Sequence, residues 1–253
     1  MKTLGDALKE FKDHLRIVAT GAGWGHVASV VPRDQSKEAQ SNLATLLALL
    51  AGAIAGGTVA IIKSIREASS SQVLGIHTAK PSSNPHPPAT AVNLFGYCLE
   101  ARRGFPESQE EYQVISEPSL AEKEGLLFKA IQQGEQRGTE LTDTYAFIDD
   151  ATLFSRRFTQ AVVWVITDDI GYLRAREQVY GDFMSEVMFF LPSCFEVLLW
   201  IRQTLKETGV DVVKTRFDRE LIPGVLRFNV KHGLVSEQQL AEWRDKFGFA
   251  LTV

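Results

Sequence analysis

Between Leu43 and Ile62 the chain runs for twenty residues without a charge, so this stretch must be buried in a core or placed in a membrane. As one helix rising about 1.5 Å per residue it would span about 30 Å, the thickness of a bilayer core. Gly52 and Gly56 have the small-xxx-small spacing that lets helix backbones approach closely, and Lys63 and Arg66 close the run. Yet only nine of the twenty residues are Leu, Ile or Val; the rest are Ala, Gly and Thr, which insert weakly. The adjacent Gly56 and Gly57 each weaken a helix in water by about 1 kcal/mol relative to Ala. A central helix or helix pair, buried on all sides, is therefore the expectation. Membrane insertion through 43–62 and burial at a subunit interface are the alternatives.

Helical periodicity dominates elsewhere. Leu4, Leu8, Phe11 and Leu15 follow spacings of four, three and four, which puts them on one face of an N-terminal helix broken by Thr20–Gly25. Val92–Arg103 reads as a short helix stopped by Gly104 and Pro106. Ser119 is placed to cap a helix ending near Arg137, before Gly138. Phe147, Ala151, Phe154, Phe158, Ala161 and Val165 give a strong helical pattern. Helices are expected over 172–190 and 193–207, short strands over 210–235, and a last helix capped by Ser236. Ser and Pro crowd 68–91, with Pro81, Pro85, Pro87 and Pro88, and this composition reads as a loop. The fold class expected is thus mainly α, a multi-helix globular protein in two helical lobes joined by a Pro/Ser-rich segment. Its parts would be an N-terminal lobe with arm helix and apolar helix (1–67), a linker or long loop (68–91), and a larger helical lobe (92–253) ending in an apolar tail.

Charge argues against a global nucleic-acid field: the net is −4. Its distribution is uneven. Residues 1–106 carry 11 Lys/Arg and 7 Asp/Glu, and residues 107–155 carry 3 and 11. Charged residues from Asp6 to Asp13 interrupt any apolar leader, which favours a cytoplasmic or virion setting over export. Cys98 and Cys194 are far apart and read as buried thiols. None of His14, His26, His77, His86 and His232 has ligand-like spacing, so no metal and no cofactor is expected; His77 and His86 fall in the Pro/Ser loop and read as solvated. Gly21 and Gly23 resemble the start of a dinucleotide-binding loop, but His26 stands where the third glycine belongs and Pro32 leaves little room for the following helix. That segment reads as a turn. Asp149–Asp150 and Asp168–Asp169 read as helix-surface charge. There is no Gly-x-Ser-x-Gly elbow and no phosphate-loop lysine.

Cations interleaved with aromatic rings form the remaining signal: Arg156 and Arg157 beside Phe158, Arg174 and Arg176 near Tyr172, and Lys214, Arg216 and Arg219 around Phe217. Such a mixture suits a groove that tracks a nucleic-acid backbone. The apolar C-terminus, with Phe247, Phe249 and Leu251, must dock on its own body or on a neighbour. These features yield the functional expectation of a self-assembling protein of nucleocapsid or coat type. Leu4, Leu8, Phe11, Phe247, Phe249 and Leu251 would join copies of the chain, and the seven cations would hold RNA. A membrane-associated helical protein and an enzyme whose site is assembled from distant residues are the alternatives.

Overall fold

A computed structural model of the chain describes residues 3–54, 57, 59–65, 73–82, 91–103, 108–116, 118–145, 147–148, 150–181 and 192–250. Two compact units are present, Met1–Lys129 and Ala130–Val253. The first holds α1 (Leu4–Glu10), β1 (Leu15–Ala19), β2 (Trp24–Pro32), α2 (Lys37–Ile54), β3 (Ala60–Ser64), β4 (Val73–Pro81), β5 (Val92–Cys98), β6 (Glu111–Val114) and α3 (Pro118–Ala121). A longer helix, α4 (Glu124–Thr144), contains the point of division.

The six strands close into an antiparallel barrel in the order β1-β2-β5-β4-β3-β6. β3, β4 and β5 form a meander that returns β5 to pair with β2, and the long α2 connection carries the chain from β2 across to β3, a Greek-key arrangement. This barrel overturns the expectation of a mainly α, multi-helix protein, and with it the helical N-terminal lobe. Physical reasons are visible strand by strand. The charge-free run is divided: α2 ends at Ile54, and Ala60–Ile62 turn up in β3, fully buried. β4 occupies part of the Ser/Pro segment, so 68–91 is not simply a linker, and His77, expected to be solvated, is buried there against Tyr97. His86 lies outside the described residues. β5 replaces the helix expected at 92–103; Val92, Leu94 and Gly96 point inward while Asn93 and Phe95 face out, a period of two. Leu15 opens β1 rather than ending the first helix.

α2 shows one buried stripe, Ala39, Leu43, Leu46 and Leu50, at spacings of four, three and four. Ala44, Thr45 and Ala48 lie on its exposed side. No helix among the described residues is long and apolar enough to cross a membrane.

Barrel closure depends on glycine at one crossing. A Cβ on Gly96 of β5 would lie 2.2 Å from the Gly75 carbonyl oxygen of β4. Gly96 also pairs with Gly25 of β2, so three strands bend together where side chains are absent. Two β-bulges flank this point: Val27 is the extra residue of β2 and His77 that of β4.

The second unit is helical: the rest of α4, α5 (Ala151–Asp168), α6 (Tyr172–Tyr180), α7 (Pro192–Thr208), a 3-10 turn (Val212–Lys214), α8 (Arg216–Glu220), a π-helical turn (Leu221–Leu226), α9 (Arg227–Lys231) and α10 (Glu237–Phe247). The strands expected over 210–235 are therefore short helices. α4 passes through Gly138 instead of stopping there, because Gly134 and Gly138 let it approach α5. A Cβ on Gly138 would lie 2.6 Å from Ser155 Cα, and one on Gly134 3.0 Å from the Thr159 side chain. Asp150 caps α5 and Ser236 caps α10, each accepting from a backbone N–H three residues on. A buried ion pair, Arg202 with Asp218, joins α7 to α8, and Arg202 also donates to the Phe247 carbonyl at the end of α10. Cys98 and Cys194 are buried thiols, and burial raises both, that of Cys194 to about 11.

Two substitutions test these joints. Gly96→Ala forces a methyl into the β4 backbone and is expected to destabilise the chain by about 3 kcal/mol in urea denaturation. Asp218→Ala strands a buried guanidinium and is expected to cost about 3–5 kcal/mol, whereas replacing both Arg202 and Asp218 with Leu should cost less.

Candidate functional site

β1 and β6 pair only at Ile17–Tyr112 and Val18–Glu111. Towards the start of β1 the two strands part, and a cavity of about 490 Å³ opens between them. Its floor is apolar and drawn from the inward face of the barrel: Leu15, Ile17, Val30, Tyr112 and Val114, with Leu8 of α1. Its rim is cationic. Lys9, Lys12, Arg16 and Arg33 line it, against a single carboxylate, Asp13. Two of the four cations are engaged: Lys9 Nζ donates to Ser116 Oγ at 2.9 Å, and Arg33 pairs with Glu111 at 2.7 Å while its Nε donates to the Lys12 carbonyl. The side chains of Lys12 and Arg16 have no carboxylate partner among the described residues. Ile65, 47% exposed, stands at the same opening. Burial, with Glu110 nearby, pushes the Tyr112 phenol upward, so it remains protonated and neutral.

A second depression, of about 730 Å³, lies on the outer face of β1, β2 and β5. Arg16, Val18, His26, Ser29, Val31 and Asn93 are on this face. Residues three apart on a regular strand point to opposite sides. The Val27 bulge resets the alternation, so His26 and Ser29 emerge together. His26 Nε2 lies 2.9 Å from Ser29 Oγ, and Ser29 Oγ lies 3.4 Å from the Asn93 carboxamide. Burial lowers the His26 pKa, and a backbone hydrogen bond at Ala28 acts in the opposite direction, as a carbonyl accepting from the ring would. Thr20 fixes the strand start by donating to the His26 carbonyl at 2.6 Å. Gln109, also lining the depression, holds φ +70°, a left-handed conformation uncommon outside glycine.

The cations singled out from the sequence fall elsewhere. Arg156 and Arg157 are on α5, Arg174 and Arg176 on α6, Lys214 on the 3-10 turn, and Arg216 and Arg219 on α8. Arg174 pairs with Glu177 and stacks over Trp164; Lys214 pairs with Asp211, Arg216 with Glu220, and Arg219 reaches Asp169 at 3.9 Å. The Arg157 guanidinium lies against Gly181. Of the apolar residues assigned to assembly, Leu4 and Leu8 are buried within the barrel unit and Phe11 is half-buried. Phe247 and Phe249 are buried within the helical unit, and Leu251 lies outside the described residues. Among the described residues no group of three or more His, Cys, Asp or Glu is arranged to hold a metal ion.

No family model matches the chain, and no curated protein or solved structure shows significant similarity to it. The nucleocapsid, coat and RNA-binding readings thus gain no support, and their premise of a helical protein is replaced by a barrel and a helical unit. Neither the rim of the cavity nor the His26–Ser29 pair was found by reading the sequence. Lys9, Lys12, Arg16 and Arg33 are scattered through a helix, a turn and two strand ends. His26 and Ser29 come together only through a bulge.

His26 should titrate below 6.5, remaining neutral at pH 7. Because its folded pKa is depressed, its contribution to stability is complete above 6.5 and is lost as pH falls through the folded value. NMR titration of the imidazole checks the midpoint, and a value above 6.5 would contradict the burial described.

Proposed function

We propose that the barrel unit is a binding module for a small amphiphilic anion. The apolar part would enter the cavity between β1 and β6, and the acid group would sit between Lys12 and Arg16. The observation that carries this reading is the pairing of an apolar floor with two cations, Lys12 and Arg16, that have no carboxylate partner among the described residues. Cavities of this size accommodate small ligands, and a few polar groups placed over apolar walls set their orientation. Arg16 offers a planar fork suited to a carboxylate or phosphate, and Lys12 a mobile point charge. Ile65 extends the apolar surface outward, where an alkyl chain or ring would continue.

Decanoate serves as a probe of this class in titration calorimetry. Saturable one-to-one binding is expected, weakening as salt rises from about 0.05 to about 0.5 M because the rim charges are screened. The double variant Lys12→Glu, Arg16→Glu should bind at least about tenfold more weakly, each reversed charge costing on the order of 1 kcal/mol. Decanol, with a similar chain and no charge, should bind more weakly than decanoate. Equal affinity for the two, or no saturable binding, would sink the proposal.

A further inference from the structure

We propose a second, catalytic site on the outer face of the barrel, in which Ser29 is a nucleophile and His26 its general base, acting on small acyl esters. The argument starts from the network. His26 Nε2 stands 2.9 Å from Ser29 Oγ, and in the tautomer that carries its proton on Nδ1 that nitrogen is an acceptor facing the hydroxyl. The Ser29 hydroxyl, which donates to Asn93 Oδ1 at 3.4 Å, turns to the closer nitrogen in this tautomer. Asn93, on the other side of the hydroxyl, then satisfies it best by presenting its N–H₂ rather than its oxygen, which a half-turn of the carboxamide allows. Nucleophile, base and a hydrogen-bond donor therefore converge on one oxygen atom, in a depression of about 730 Å³ with room for a small ester.

In the first step Ser29 Oγ bonds to the acyl carbon as its proton passes to His26 Nε2. The developing oxyanion takes a hydrogen bond from the Asn93 amide. The carbon–oxygen bond to the leaving alcohol then breaks, and His26 returns the proton to that alcohol. Water repeats the sequence on the acyl-enzyme, giving the free acid and restoring the Ser29 hydroxyl. His26 and Ser29 do not line the cavity between β1 and β6, though Arg16 and Arg33 border both, and the two proposals are told apart by their readouts, decanoate binding for one and acylation of Ser29 for the other.

The full-length protein should be treated with a fluorophosphonate and the modified peptide located by mass spectrometry. A phosphonyl adduct on Ser29 is expected. Hydrolysis of 4-nitrophenyl acetate should fall at least about hundredfold in Ser29→Ala and in His26→Gln. Asn93→Ala should lower kcat more than it raises KM. The wild-type rate should rise with pH to a plateau, with a midpoint below 6.5, as His26 loses its proton. No adduct on Ser29 in the wild-type chain, or a Ser29→Ala variant that keeps its rate within about twofold, would overturn the proposal. The adduct position is read on unmodified sequence, so it remains decisive even if a variant fails to fold.

Discussion

The backbone of β5 passes so close to β4 at Gly96 that no side chain fits between them, and the rest of the barrel follows from that approach. With Gly75 across one edge and Gly25 across the other, β5 can bend sharply enough for six short strands to close. The bend leaves one surplus residue in each neighbouring strand, Val27 and His77. Bulges of this kind re-aim the side chains beyond them. In β2 the result is that His26 and Ser29, which a regular strand would send to opposite faces, share one face with a hydrogen bond between them.

Closure is complete without being uniform. β6 has four residues and pairs with β1 at only two positions. Where the pairing stops, the inner face of the barrel becomes accessible through its wall, and the end of α1 with the turn after it brings Lys9, Lys12 and Asp13 to that opening. A six-stranded barrel has a narrow interior that side chains normally fill. An opening at the β1–β6 seam is thus where a small ligand can reach apolar surface without displacing the core. The four cations around it are exposed, so salt screens their attraction for an anion.

The helical unit is organised by different means. Gly134 and Gly138 draw α4 against α5, and the buried Arg202 guanidinium ties α7, α8 and the end of α10. A buried pair of this type adds little net stability but is costly to break, so it specifies the arrangement of the helices rather than driving their burial. The surface arginines on α6 and α8 are largely engaged with carboxylates of their own or adjoining segments. Basic-aromatic interleaving in the sequence corresponds here to helices whose apolar rings face inward, as Phe158 and Phe217 do, with charged neighbours outside.

The sequence by itself determined the helices with long regular stripes. Phe154, Phe158, Ala161 and Val165 define α5, and Ser236 marks the start of α10, because helical periodicity and capping are local properties of the chain. Local pattern also placed a turn at Thr20–Gly25, where Gly21 and Gly25 hold positive φ. Only the tertiary structure decided the barrel. β1, β3 and β6 have four or five residues each, too few to show a period, and β4 carries Gly75 and Pro81 among its nine. Closure rests on pairings between strands distant in sequence, β6 with β1 and β3 and β2 with β5, so extended structure there is fixed by partners that no local window contains. The two candidate sites depend on the same long-range pairing. One needs the bulge opposite β5 and the other needs β6 to leave β1 early, and neither event is written in the residues that form the site.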